Sequence, residues 1–226
     1  MLQSIRVFCC CLFLSLLTVP LLAQSATSEA KKPVLEGIPA VEWQNPPQAW
    51  KVDAGELTIS AGKNTNWFVN PQDGAVSNNT PRLLFKPTED FVLSAKVEVG
   101  FHSTWDSGAL VLFIDDQHWA KLCFEQTVEG HPAIVSVVTR DLSDDNNSIA
   151  ISGKTAWLKV AKSGQAIFFY ASVDGEHWSI IRAFSLGPHP DLRVGFSSQS
   201  PAGEGCTSVF SRIRYRSGRV DLWQER

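Results

Sequence analysis

The side chains best suited to chemistry lie between Thr104 and Glu125, in the stretch TWDSGALVLFIDDQHWAKLCFE. Gly108 to Ile114 is an unbroken apolar run, which is typical of a strand buried on both faces. A polar Asp115-Asp116-Gln117 turn follows, and a two-residue alternation then predicts a second strand. One face of that strand would belong to the core. The other would carry an aromatic ring, two charges and a thiol, from Trp119, Lys121, Cys123 and Glu125.

This mixed face allows a structural and a binding interpretation. Lys121 and Glu125 would lie about 13 Å apart along a strand, too far for a direct ion pair. If the face is buried, each charge needs a partner on a neighbouring strand. If it lines a groove, Trp119 offers a stacking surface for a sugar ring, with the two charges as polar anchors.

Trp105 and Asp106 precede the first of these strands. The carboxylate of Asp106 could cap a loop, or it could face the same groove. The predicted ligand-binding set is therefore Trp105, Asp106, Trp119, Lys121 and Glu125.

Motifs for catalysis are weak in this sequence. The Glu-x-Asp-x-x-Glu strand that places glucanase carboxylates on one face is absent, and so is the Gly-x-Ser-x-Gly hydrolase elbow. The histidines show no paired metal spacing, and Asp144 to Asn147 is interpreted as a solvated turn in preference to a calcium loop. We therefore assign no catalytic residue, metal or cofactor, and the sequence argues against an enzyme without excluding one.

The N-terminus has the pattern of a cleaved export signal. Arg6 precedes an apolar stretch that ends near Ala23, too short for a typical membrane span and without a stop-transfer flank. We expect a secreted or periplasmic protein without a stable membrane anchor. After cleavage only Cys123 and Cys206 remain, and they could form a disulfide or stay as buried free thiols.

Composition indicates a folded chain with a substantial core. Of 226 residues, 44% are apolar and 19% are charged, and the net charge is −3. No basic patch of the kind that nucleic acid requires is visible. Arg212, Arg214, Arg216 and Arg219 form the nearest candidate, and a solvated strand edge is the preferred interpretation.

Short alternating segments and turn signals follow one another along the chain, and no helical period is sustained beyond the leader. This pattern predicts one all-β sandwich. The organisation is a signal peptide over 1–23, a linker over 24–42, the sandwich over 43–216 and a C-terminal tail over 217–226.

An ordered set of motifs relates the predicted sandwich to a known family. The set comprises Asn45-Pro46-Pro47, Trp105 to Leu110, Trp119-Ala120-Lys121, Glu125, Trp157-Leu158, Ser172 to Gly175 with Trp178, Val194-Gly195-Phe196 and Ser200-Pro201. Together they resemble domain-of-unknown-function family 1349, which includes the fungal regulator-of-enolase protein. Ser107 after Asp106 is a mild departure from the family pattern. The resemblance implies a concanavalin A-like jelly roll of two antiparallel sheets, a fold shared by lectins and glucanases, and it implies no activity.

Three functions remain open at this level. The preferred hypothesis is a secreted, non-catalytic module that binds a glycan or polysaccharide. A divergent glycoside hydrolase or lyase using Glu125 is the second, and a protein-interaction module with an unidentified partner is the third. Two close carboxylates in a groove would favour the hydrolase, whereas aromatic side chains with a single acid would favour binding.

Overall fold

A computed structural model describes residues 32–188 and 190–226. The leader and residues 24–31 of the predicted linker lie outside these ranges. The described strands are β1 (Glu42–Gln44), β2 (Ala49–Asp53), β3 (Glu56–Gly62), β4 (Trp67–Val69), β5 (Val76–Asn78), β6 (Arg82–Phe85), β7 (Phe91–Val99), β8 (Ser107–Phe113), β9 (His118–Gln126), β10 (Pro132–Arg140), β11 (Leu142–Ala150), β12 (Thr155–Ser163), β13 (Ala166–Ser172), β14 (Ser179–Phe184), β15 (Arg193–Gln199) and β16 (Gly205–Ser217). One 3-10 turn, η1 (Leu222–Gln224), follows.

Fourteen of these strands form two seven-stranded antiparallel sheets, and β4 and β5 pair separately as a two-stranded hairpin. The first has the order β1-β6-β15-β8-β9-β10-β11, and the second has the order β14-β13-β12-β7-β16-β3-β2. Side chains from alternate positions of both sheets fill the space between them, including the fully buried Leu122, Phe169 and Phe196. The predicted all-β jelly-roll sandwich is confirmed.

The hairpin predicted between Thr104 and Glu125 is formed by β8 and β9, which pair from Ser107 with Glu125 to Phe113 with Trp119. Leu122 and Phe124 point into the core between the sheets. Trp119 and Cys123 lie on the opposite side, in a separate apolar cluster. The predicted division of β9 into two faces is therefore confirmed.

That second cluster lies on the outer face of the first sheet and is covered by the small β4–β5 hairpin. Trp67 and Val69 of β4 pack there against side chains of β8, β9 and β10. From the sequence, Trp67–Val69 is interpreted as a short strand and 70–80 as a polar loop; the structure confirms the strand as β4 and places β5 within that loop. β5 consists of a single apolar residue, Val76, followed by two polar ones, so its sequence has no apolar alternation that could identify a strand.

A close backbone approach fixes β15 beside β6. A Cβ atom added to Gly195 would lie 1.9 Å from the Leu83 carbonyl oxygen, so only glycine fits at this position. On its other side β15 pairs with β8, where Gln199 lies opposite Ser107.

The chain on either side of the predicted sandwich also packs against it. Leu35 and Val41, from the predicted linker, are buried in the main core. Val220 and Leu222, from the predicted tail, are buried against Phe168 and Tyr170 on the outer face of the second sheet.

Candidate functional site

A pocket of about 350 Å³ opens on the outer face of the first sheet, beside the apolar cluster that the β4–β5 hairpin covers. It is lined by Asn66, Phe68, Trp105, Lys121, Glu125, Val137, Asp145, Gln199 and Pro201. Trp105, Lys121 and Glu125 belong to the predicted ligand-binding set, and the structure brings them together here. The volume lies within the range of small-molecule sites.

Strand register explains why these side chains converge. Asp145 of β11 pairs with Val137 of β10, which pairs with Lys121 of β9, so the three form one row across the sheet. A second row, four residues along β9, joins Glu125 through Ser107 to Gln199 on β15. Side chains in such rows point to the same face of a sheet. The small side chain of Ser107 leaves space between Glu125 and Gln199.

Gln199 links the two charges that are too far apart to pair. The Lys121 ammonium donates to the Gln199 side-chain oxygen at 3.0 Å. The Gln199 amide nitrogen donates to the Trp105 carbonyl at 3.3 Å and faces a Glu125 carboxyl oxygen at 3.5 Å. The partner that the buried interpretation required therefore comes from β15, two strands away from β9.

The loop before β8 presents Trp105 at the edge of the pocket. Its side chain is 44% exposed, and its backbone adopts a left-handed conformation with φ of 65°. The cost of this conformation for a non-glycine residue is on the order of 1–3 kcal/mol. The surrounding loop contacts must offset it.

Asp106 supplies those contacts. Its carboxylate accepts hydrogen bonds from the backbone of His102 at 2.9 Å and of Ser103 at 2.8 Å, and from the Ser200 hydroxyl at 2.6 Å. Asp106 is fully buried. Of the two predicted roles, the structure therefore supports loop capping, and Asp106 positions Trp105 without lining the pocket.

The buried carboxyl of Glu125 sets the electrostatics of the site. Glu125 is 6% exposed, and burial raises its pKa to about 8, with the charge of Asp145 adding to the rise and that of Lys121 opposing it. The Asp145 pKa is also raised, chiefly by desolvation, although this residue stands on the exposed edge strand. At neutral pH Glu125 is therefore largely protonated.

The structure removes Trp119 from the predicted ligand-binding set. It is 0% exposed and stacks on Trp67, with the ring centroids 4.1 Å apart. The β4–β5 hairpin covers the indole, so it cannot offer a stacking surface to a sugar. The strand alternation identified the correct face, but a hairpin from elsewhere in the chain occupies this part of it.

Comparison with known proteins identifies the family of this chain. The family described as "Protein of unknown function (DUF1349)" matches residues 43–218. The chain belongs to this family. Regulation of enolase protein 1 from Saccharomyces cerevisiae is 26% identical over 172 residues, which cover 75% of this chain and 85% of the relative. The predicted family resemblance is confirmed.

Solved structures agree with this assignment at the level of the fold. A functionally unknown protein from Saccharomyces cerevisiae has a TM-score of 0.73 and 23% identity, covering 80% of this chain and 97% of the other. The GH43 BlXynB protein from Bacillus licheniformis has a TM-score of 0.61 and 18% identity, covering 78% of this chain but 37% of the other. The likeness to this GH43 protein therefore concerns about a third of its length.

The sequence of this DUF1349 chain did not predict several of the pocket residues. They are Asn66, Phe68, Val137, Asp145, Gln199 and Pro201. Asp145 lies in the segment interpreted as a turn, which is the edge strand β11. The alternation that identifies a strand is absent there because its residues are polar on both faces. Only Pro201 carried a signal, through the Ser200-Pro201 motif of the family.

Within residues 32–188 and 190–226, no three histidine, cysteine, aspartate or glutamate side chains are grouped so that they could hold a metal ion. Over the same ranges, no helix has the length and apolarity needed to cross a membrane.

Cys123 and Cys206 are separate buried thiols. Cys123 faces the outer cluster of the first sheet, whereas Cys206 faces the core between the sheets. The disulfide that the sequence left open is thus not formed. Burial raises the pKa of both thiols to about 12, which keeps them protonated and slow to oxidise.

We expect both Cys123 and Cys206 to be alkylated under denaturing conditions without prior reduction. Peptide mapping by mass spectrometry measures this directly. Recovery of the two peptides as one linked species, released only by a reductant, would contradict the prediction.

Proposed function

We propose that this protein is a non-catalytic carbohydrate-binding module, secreted or periplasmic after removal of its leader, and that the pocket beside Trp105 holds the saccharide. The observation that carries the proposal is the convergence of an exposed indole with Lys121, Glu125 and Gln199 in one concave site. Aromatic faces pack against the apolar faces of sugar rings, and polar groups around them bind the hydroxyls.

The hydrogen-bonding capacity of the pocket matches a polyol. The Lys121 ammonium only donates, whereas an ionised Asp145 carboxylate only accepts. Gln199 does both, and so does a protonated Glu125 carboxyl. Sugar hydroxyls also donate and accept, so neighbouring hydroxyls could be satisfied from opposite sides of the pocket. Phe68 and Pro201 supply apolar walls.

One observation favours glycoside hydrolysis as a second candidate. Glu125 and Asp145 line the same pocket, and the raised pKa of Glu125 would suit a general acid at neutral pH. Binding remains the preferred function because the Glu-x-Asp-x-x-Glu strand of glucanases is absent and the second carboxylate, Asp145, stands on an exposed edge strand.

A glycan array on the parent protein and on Trp105→Ala tests the proposed function. We expect a neutral saccharide to bind the parent, and the variant to lose about tenfold or more in affinity because it lacks the stacking surface. Trp223→Ala removes another exposed tryptophan outside this pocket and should bind like the parent.

Glu125→Gln separates the two candidate functions. It keeps the shape of the side chain, so a binding module should lose only modest affinity, whereas a hydrolase should lose turnover and still bind. Equal glycan affinity for the parent, Trp105→Ala and Glu125→Gln would show that the pocket is not the binding site.

A further inference from the structure

A second and larger pocket, of about 930 Å³, lies on the outer face of the second sheet. Its floor is formed by side chains of β12, β7 and β16. The β13–β14 turn and Glu225 of the C-terminal segment contribute to its walls. The carbohydrate site proposed above lies on the other sheet and uses none of these residues.

Basic side chains extend from the floor of this second pocket. Lys159 on β12 and Arg214 on β16 both pair with Ser94 of β7, so they lie on either side of it on the same face. Arg216 follows one row along, opposite Val92. The carboxylates at the pocket come from outside the strands, from Glu36, Asp174, Glu176 and Glu225.

Lys159 is an unusual side chain for the middle of a sheet. It is 8% exposed, and its ammonium lies 3.9 Å from the centroid of the Trp178 ring. Burial, and after it the positive charge of Arg216, lowers the pKa of Lys159 to about 8. A buried ammonium needs a hydrogen-bonding partner, since an unpaired one is strongly unfavourable.

Glu225 provides that partner. Its backbone carbonyl accepts from the Lys159 ammonium at 2.6 Å, and its carboxylate lies 4.0 Å from the same nitrogen. The carboxylate also pairs with the Arg216 guanidinium. Asp174, in contrast, accepts hydrogen bonds from the backbone of its own turn at Glu176 and His177. Glu225 therefore already shows where a carboxylate fits between the two cations.

Glu225 can leave this position more easily than the cations can. Lys159 lies on β12, which is paired there with β7 and with β13, and Arg216 lies on β16, which is paired there with β7. Glu225 follows the single turn η1, and Val220 and Leu222 provide the buried apolar contacts of this segment. Short segments with few buried contacts open at low free energy compared with sheet interiors.

We propose that this pocket is a second ligand site, specific for a saccharide that carries a carboxylate, and that Glu225 occupies the carboxylate position when the ligand is absent. Arginine and lysine provide charge-assisted hydrogen bonds to a carboxylate. Trp157 and Trp178, which flank Lys159 in the pocket lining, offer apolar surface for a sugar ring.

The position of the pocket favours a saccharide over an acidic peptide. Extended peptides are commonly bound by addition to a free strand edge, or through apolar pockets for their side chains. The floor strands β12 and β7 are hydrogen-bonded to a strand on both sides, and β16 is paired with β7 along the pocket. The edge of β16 that β3 leaves unpaired beyond Phe210 lies on the side away from β7, so the middle of the floor offers a peptide no free edge. A flat face with indoles and cations suits an acidic sugar instead.

Calorimetric titration of the full chain with trigalacturonate, and with the matched neutral galactotriose, tests this proposal. We expect the acidic trisaccharide alone to bind at this site, with an affinity that falls as salt is added. Glu225→Gln removes the internal competitor and should bind several-fold more tightly. Lys159→Met should lower affinity at least about tenfold, the loss typical of a charge-assisted hydrogen bond.

Controls separate this site from the first pocket and from folding defects. Glu204→Gln changes an exposed charge elsewhere and should match the parent, and Trp105→Ala should also leave trigalacturonate binding unchanged. Arg214→Gln alters an exposed side chain and tests the pocket if Lys159→Met does not fold.

Each remaining outcome counts against the proposal. Equal binding of both trisaccharides to Trp105→Ala, or an absence of trigalacturonate binding in the parent and in Glu225→Gln, would overturn it. Loss of trigalacturonate binding in Trp105→Ala would place the acidic sugar in the first pocket. Binding of a glutamate-rich peptide without binding of trigalacturonate would identify a peptide site instead.

Discussion

Replacing Trp119 with alanine should lower the free energy of unfolding by about 3–5 kcal/mol. The indole is 0% exposed and stacks on Trp67 at a centroid distance of 4.1 Å. The variant therefore loses both the buried apolar surface and the aromatic contact, and the β4–β5 hairpin can fill the resulting cavity only in part. Urea denaturation, with the slope compared to that of the parent, measures the change.

A graded series distinguishes packing from ligand binding at this position. Trp119→Phe keeps an aromatic ring and should lose clearly less stability than Trp119→Ala. Trp105→Ala, at an exposed position, should change stability little, because surface substitutions usually stay within about 0.5 kcal/mol. A stable Trp119→Ala variant that has lost glycan affinity would show that this tryptophan belongs to the binding site after all.

Trp119 also shows what sequence periodicity can and cannot predict. Alternation along β9 predicted its two faces correctly, because the pleat of a strand is a local property. Whether the outer face meets ligand, solvent or protein depends on β4 and β5, which are distant in sequence. Trp119 and Lys121 thus share a predicted face but differ in environment, one under a hairpin and the other in a pocket.

The positions of Asp145 and Gln199 beside Glu125 could not be predicted from the sequence. Neither lies near Glu125 in sequence, and their proximity follows from the strand order β15-β8-β9-β10-β11. Antiparallel pairing of β15 with β8 depends on a register that no local motif specifies. The buried strands were predictable because apolar runs identify them, whereas the polar edge strand β11 resembles a turn at the level of sequence.

Glu125 should make the protein less stable as the pH rises, and Glu125→Gln should remove this effect. The Glu125 pKa is raised from 4.5 to about 8 in the folded protein, first by burial. Below the unfolded value both states are protonated, so the residue has no effect on stability. Between the two values the unfolded chain has lost the proton and the folded chain retains it. The free energy of unfolding should then fall by up to about 1.4 kcal/mol per pH unit.

Denaturant titrations of the parent and of Glu125→Gln from pH 4 to pH 9 test this expectation. The difference between the two profiles isolates Glu125 from other groups that titrate in the same range. We expect the variant to gain stability relative to the parent as the pH rises, reaching a few kcal/mol near pH 9, because glutamine has no proton to lose in the unfolded chain. Glu129→Gln, at an exposed loop position, should follow the parent profile. Parallel profiles for Glu125→Gln and the parent would show that Glu125 is ionised in the folded protein, and the pocket would then carry a fixed negative charge at neutral pH.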